Sequence, residues 1–215
     1  MNITILCTSE THPVNEMLLR WVKANQATHQ IKIARRKDEL NDGDLLFLIS
    51  CTEVILEQQR SRFKKTLVIH ASDLPRGRGW SPHIWELVNG AKELTVSLLE
   101  AEDSVDSGDI WKQVHVNVPK HCLHNEINNI LFCAEFELMD FAVKNFHRIV
   151  PTPQDTNIDP TYYPRRQAMD SELDPRVSVE KQFDLLRVSD PVRFPAFFKL
   201  YGFTYKLKIE KIKDE

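Results

Sequence analysis

Glycine is scarce in this chain: six among 215 residues, at positions 43, 77, 79, 90, 108 and 202. A chain so sparing of it uses glycine where the backbone bends sharply or a ligand comes close. Gly77 and Gly79 fall in one short stretch, and Gly108 sits in Asp106-Ser107-Gly108-Asp109. Cysteine is sparse too. Cys7, Cys51, Cys122 and Cys133 form no Cys-x-x-Cys pair and no zinc-ligand spacing, so no metal site is expected. Cys7 and Cys51 lie in apolar runs and read as buried free thiols. Met1 to Cys7 is too short and polar for a secretory leader, so the expectation is a reduced, cytoplasmic protein. No run of about 18 apolar residues occurs, and no membrane span is expected. Neither sign of charge dominates. The 28 basic and 31 acidic residues leave a formal net charge of -3, which gives no bulk electrostatic case for a nucleic-acid partner. Internal repeats and low-complexity tracts are also missing.

What is present is an alternation of strand and helix patterns. Ile3 to Cys7, Ile31 to Ala34, Asp44 to Ser50, Leu67 to His70 and Leu94 to Leu99 read as strands, and Ile110-Trp111 begins another. The uninterrupted apolar run in Asp44 to Ser50 suits a strand covered on both faces. Between these lie helical patterns. Asn15 to Lys23 carries Met17, Leu18, Trp21 and Val22 at helical spacing, and Glu53 to Arg60 is rich in helix formers. Ser81 reads as the N-cap and Pro82 as the first residue of a helix that Asn89-Gly90 ends. A long helix is expected from about Asn125 to Phe146. The alternation argues an α/β fold, a Rossmann-like, mainly parallel sheet flanked by helices. After Val150 the composition shifts, with Pro151-Thr152-Pro153 and Asp159-Pro160 linker-like. The expected organisation is a catalytic domain over 1–150 and a small C-terminal α+β extension over 151–215. In that extension Ser178 to Arg187 reads as a capped amphipathic helix. Phe203 to Ile212 alternates like one strand with a wet face, able to pair within its own subunit or across the two-fold axis of a homodimer.

The chemistry concentrates in His70-Ala71-Ser72-Asp73-Leu74-Pro75-Arg76-Gly77-Arg78-Gly79-Trp80-Ser81-Pro82. It places an imidazole at the end of a buried strand, followed at once by an elbow able to shape a cleft. Ligands of open α/β sheets bind beyond the carboxyl ends of the strands. Asp106 and Asp109 flank Gly108 in the turn after the Leu94–Leu99 strand, and spacing does not say which faces the histidine. A carboxylate beside an imidazole stabilises the charged ring and fixes its orientation, as acid/base work needs. Against this, a strand-end histidine is commonly structural and Asp-Ser-Gly-Asp is commonly just a turn. The other seven histidines read as surface or ordinary packing; His121 and His124 lack a third ligand.

The stretch resembles the signature of the 10-formyltetrahydrofolate-dependent formyltransferases, Asn-x-His-x-Ser-Leu-Leu-Pro-x-x-Arg-Gly. His70, Ser72, Leu74, Pro75, Arg78 and Gly79 match in register, and the family's acidic loop appears as Glu102-Asp103-Ser104-Val105-Asp106-Ser107-Gly108-Asp109. The flanks Leu48 to Glu53 and Gly79 to Trp85 are similar to the small subgroup that formylates nucleotide-linked amino sugars, the pseudaminic acid pathway among its uses. So is the C-terminal block from Tyr163 to Ser171 with Leu186 to Asp190 and Phe194 to Phe198. The resemblance implies His70 and Asp106 as the catalytic pair and 10-formyltetrahydrofolate as co-substrate. The donor is expected against Ser72, Asp73, Leu74, Pro75, Arg78, Gly79 and Trp80, against Glu102, Asp103, Ser104 and Val105, and against Glu53, Val54 and Ile55. It implies a nucleotide-linked amino sugar as acceptor, of the UDP-4-amino-4,6-dideoxy-N-acetyl-altrosamine type. Arg165 and Arg166 are candidates for the diphosphate; a salt bridge from them to Asp170 is the structural alternative. Another small amine as acceptor, or a folate- or nucleotide-binding module without catalysis, are the competing readings. The second rests on one departure: the family's Asn two residues before the histidine is Val68 here.

Overall fold

A computed structural model describes residues 1–212; the last three residues of the 151–215 extension lie outside the described residues. Its centre is a six-stranded sheet of β1 (Asn2–Leu6), β2 (Gln30–Ala34), β3 (Gly43–Leu48), β4 (Phe63–His70), β6 (Glu93–Glu100) and β7 (Ile110–Asn117), in the order β2-β1-β3-β4-β6-β7. The first four strands run parallel, as expected. The sheet is mainly parallel, as expected, with two antiparallel strands at one edge. β6 is antiparallel to β4, with His70 opposite Ser97 and Leu67 opposite Glu100, and β7 is antiparallel to β6. The two are joined by the 101–109 loop, too short for a helical crossover, so reversal is the accessible connection.

Side-chain alternation along β3 sends Leu45 and Phe47 to one face and Leu46 and Leu48 to the other. The first face packs on α1 (Val14–Asn25) and α4 (His124–Asn145), through Leu18, Trp21, Leu131, Phe132, Leu138 and Met139. Trp21 Nε1 donates to Asp140 Oδ1 at 2.7 Å and ties the two helices. The second face is thinner, closed by Leu40, Ile55 and Phe63. Of the helix expected over Glu53 to Arg60 only α2 (Glu57–Arg60) forms, where Gln59 Oε1 accepts the Leu56 N–H at 3.1 Å. α3 (Pro82–Val88) starts at the expected proline, yet Ser81 is left-handed (φ 46°) and its side chain caps nothing.

Two short ribbons complete the chain. β5 (Arg78–Gly79) pairs with β8 (Tyr162–Tyr163), and β9 (Phe197–Leu200) pairs antiparallel with β10 (Phe203–Lys206). The long strand expected over Phe203 to Ile212 is therefore cut short, and it pairs within its own chain. Its partner is only four residues long. Beyond it Leu207 and Ile209 turn in to pack against Leu173, Leu186 and Ala196. The helix expected over Ser178 to Arg187 is likewise broken. A 3-10 turn (Glu180–Gln182) precedes α5 (Phe183–Val188), because Gln182 leaves helical geometry at φ -112°. Its side chain instead bonds Asp174 and Val177. Cys7 is buried as expected, whereas Cys51 is half-buried. Among the described residues no helix is long and apolar enough to cross a membrane.

Candidate active site

β4 delivers His70 to the sheet's edge of loops with its ring almost fully buried. The elbow that follows folds back over it. Gly77 takes φ +72° and Gly79 φ +96°, conformations that suit glycine, and a Cβ on Gly79 would press on Tyr163 O at 2.6 Å. The fold-back brings Gly77 O to His70 Nε2 at 2.8 Å. A carbonyl oxygen only accepts, so Nε2 carries a proton. Nδ1 faces Asp106 Oδ2 at 3.5 Å, and both side chains are more than nine-tenths buried.

Asp106 does not reach the histidine from a parallel strand's carboxyl end. Because β6 runs against β4, it ends opposite Leu67, and its loop must double back to His70. Gly108 makes that possible, since a Cβ there would overlap Glu100 O. Asp106 sits at φ +52°, a left-handed position that aspartate tolerates. Its Oδ2 also accepts the Gly79 N–H at 2.9 Å, so one carboxylate oxygen serves both the histidine and the elbow. Asp109 points to solvent, and only its backbone oxygen is used, by the Glu100 N–H. The choice between the two aspartates, open in the sequence, falls to Asp106.

The other expected residues form two groups. Ser72, Leu74 and Pro75 are buried in the elbow, the last two joined by a cis peptide, and Asp73 is exposed. The loop of Glu53, Val54 and Ile55 and the loop of Glu102, Asp103, Ser104 and Val105 are linked through Arg60. Its NH1 donates to Ile55 O and its NH2 to Asp103 Oδ1, both at 2.7 Å. Val54, Leu56 and Val105 leave more than half of their surface exposed on these loops.

Arg165 and Arg166 part company. Arg165 is exposed, its guanidinium 5.0 Å from the Trp80 ring centre, while Arg78 lies over Tyr162. Arg166 is buried and donates to Asp170 O at 3.2 Å and Ser171 Oγ at 2.9 Å. Its Asp170 contact is with the backbone carbonyl, not the carboxylate, and burial pulls its pKa down.

Several site residues went unread in the sequence. His83 lies within reach of His70, His12, His124 and Arg166; burial, then those charges, press its pKa down to about 3. His12, on Ser50 Oγ at 3.2 Å, is pressed to about 4 by burial and Arg193. These rings are neutral at physiological pH, so Arg166 contributes a buried positive charge beside the histidine. Glu86 is raised to about 7 by burial and Asp73. Gln154 and Thr161 come from the stretch read as linker: Thr161 Oγ1 accepts the Gly77 N–H at 2.8 Å, and Gln154 bonds both loops. The only sequence signal was Thr161-Tyr162-Tyr163, a strand-favouring triplet.

Residues 2–141 match the family model described as "Formyl transferase". A methionyl-tRNA formyltransferase of Protochlamydia amoebophila (strain UWE25) is 27% identical over 178 residues, 80% of this chain and 55% of that protein. The chain spans about half the length of the curated relatives it matches. Among solved structures, HypX from Aquifex aeolicus in complex with tetrahydrofolic acid superposes with a TM-score of 0.78 at 21% identity, covering 94% of this chain and 36% of that one. A 4-N formyltransferase from Francisella tularensis superposes with a TM-score of 0.76 at 15% identity, covering 99% and 98%.

Proposed function

The chain belongs to the formyl transferase family, and on that premise we propose that it moves a formyl group from 10-formyltetrahydrofolate to the primary amine of a nucleotide-linked amino sugar. The observation that carries the reading is the buried His70–Asp106 pair, held between two loops of opposite chemistry. One is the loop pair clamped by Arg60, whose exposed apolar side chains receive the folate. The other is the side of His83 and Arg166, where a buried guanidinium with no carboxylate partner among the described residues suits a phosphate-bearing acceptor. A UDP-4-amino-4,6-dideoxy sugar of pseudaminic acid biosynthesis is the acceptor the sequence resemblance favours.

The donor supplies the formyl carbon. The acceptor amine attacks it, negative charge gathers on the formyl oxygen, and the amine sheds a proton. A donor hydrogen bond to that oxygen is the main electrostatic requirement. Val68, where the family has Asn, offers none. Most of the alternatives near it are already engaged; the buried Ser72 hydroxyl, which has no hydrogen-bond partner among the described residues, is not. The N–H groups of Arg76, Gly77, Arg78, Gly79 and Trp80 bond within the chain, as does that of Thr52, and the Ser50 hydroxyl sits on His12. The Ser72 hydroxyl and the His70 ring are left, and the family resemblance favours the ring. With Nε2 committed to Gly77 O, a protonated Nδ1 shares its hydrogen between Asp106 Oδ2, 3.5 Å away, and the formyl oxygen, and Asp106 stabilises that charged ring. Asp106 also relays the amine proton, through water, to the departing folate nitrogen as its bond to the formyl carbon breaks.

A second acceptor, methionyl-tRNA, is favoured by the named activity of the curated relatives. The net charge of -3 speaks against it. The test is formyl transfer, followed as the mass gain of one formyl group, to a panel of nucleotide amino sugars and to methionyl-tRNA. We expect turnover with a sugar and its loss in His70→Ala and Asp106→Asn, each checked for intact fold. Near wild-type rates in both variants would overturn the mechanism; turnover with methionyl-tRNA alone would overturn the acceptor. Binding of a formylfolate analogue by calorimetry with no turnover on any amine would leave only a binding module.

A further inference from the structure

The geometry points to Gln154 as a positioning residue for the His70–Asp106 pair, so that the segment following α4 is part of the active site. Three hydrogen bonds leave its half-buried amide. Nε2 donates to Asp106 O at 2.8 Å and to Gly108 O at 2.9 Å, and Oε1 accepts from Arg78 NH2 at 2.7 Å. The first two hold the acidic loop and the third holds the elbow, adding to the bond that the Asp106 carboxylate itself makes to the Gly79 N–H. The amide has one workable orientation. Flipped, it would set Oε1 against two carbonyl oxygens and its N–H groups against a guanidinium.

The residues it holds are the ones under strain. Asp106 is left-handed at φ +52°, and Gly108 is packed against the Glu100 carbonyl with no room for a side chain. The Asp106 carboxylate meets His70 Nδ1 at 3.5 Å, a separation loose enough that small loop movements decide whether the contact is made. Gln154 pins the backbone of the aspartate itself and of the glycine two residues after it, at residues 106 and 108. It is itself anchored: Thr152, two residues earlier, exchanges both backbone bonds with Ile110 at 2.8 Å. An anchored segment that pins a left-handed aspartate and an elbow arginine fixes the approach of the acid to the base. Displacing such a group by about 1 Å costs on the order of 100-fold in rate.

The inference rests on the His70–Asp106 reading above, and its test separates the two. Gln154→Ala and Gln154→Glu are compared with the wild type by thermal melting, by steady-state formyl transfer, and by NMR titration of the His70 ring. We expect kcat to fall about 10- to 100-fold in both, with KM for the formyl donor changed less than about threefold and the His70 titration midpoint shifted. Glutamate gives a signature that mere destabilisation does not. Ionised, it faces two carbonyl oxygens; protonated, it restores one donor. Its kcat relative to wild type should therefore rise as pH falls. Folded variants with wild-type kcat, pH profile and His70 titration would overturn the proposal. Should the wild type prove inactive on every amine, the functional reading fails while the His70 titration still decides the role of Gln154.

Discussion

Replacing Glu135 by glutamine should make this protein more resistant to unfolding at alkaline pH and should do little at acid pH. Glu135 is half-buried on α4, one turn from Leu131, Phe132, Leu138 and Met139, and close enough to Cys7, just past β1, for its charge to act there. Its Oε2 meets neither solvent nor a hydrogen-bond partner among the described residues. Burial alone raises its carboxyl from the ordinary 4.5 to about 8. An acid whose pKa is higher folded than unfolded holds its proton in the native state while the unfolded chain gives it up. Below pH 4.5 both states are protonated, and the group contributes nothing pH-dependent. Between 4.5 and about 8 native stability falls by about 1.4 kcal/mol per pH unit on this group's account. At pH 7 the loss is roughly 3 kcal/mol, a large share of an ordinary domain's stability. Glutamine does not titrate, so the variant-minus-wild-type difference should grow steadily from pH 5 to pH 8 and then level off. Urea unfolding at pH 5, 6, 7 and 8, followed by tryptophan fluorescence, measures that difference directly. Stability curves that run parallel across this range would refute the buried, protonated carboxyl.

Two further outcomes concern the reaction. Val68 shares a strand face with His70, two residues away, and is half-buried. Val68→Asn would add a donor beside the formyl oxygen and should raise kcat on the order of 10- to 100-fold; an unchanged rate in the folded variant would mean that the imidazole already meets the need. Arg60→Met removes both the bond to Ile55 O and the bond to Asp103, freeing the Glu53–Ile55 loop, and should raise KM for the formyl donor about tenfold or more. A fall in kcat instead, with KM held, would place Arg60 with the reacting atoms rather than the folate.

The parallel half of the sheet was legible because Ile3, Ile5, Leu45, Phe47 and Leu67 stand in short apolar runs, which a strand buried on both faces demands. The reversal at β6 was harder. The short 101–109 connection signals that β7 reverses on β6, but the connection from β4 to β6 holds α3 and is long enough for a parallel crossover, so nothing local marks β6 as antiparallel to β4. The truncation of β10 and the break before α5 depend on partners, namely the four residues of β9 and the Gln182–Asp174 bonds. In the site, His70, the elbow and the acidic loop could be read because glycine marks each bend. The choice of Asp106 over Asp109 follows from the fold-back of a loop. Gln154 carries no local signal at all: its partners lie 46, 48 and 76 residues away.

The return of residues 152–163 to the elbow and to β7 bears on modularity. Thr152 on Ile110, Thr161 on Gly77 and β8 on β5 mean that the polypeptide beyond the long helix shapes the reaction centre as well as its surroundings. Grafting everything after the long helix of a relative onto this scaffold to change acceptor preference would therefore also exchange the hydrogen bonds that shape the bend after His70. Specificity and chemistry are inherited together here, and a chimaera that keeps its rate needs the junction placed after Tyr163, outside the ribbon that the two stretches share.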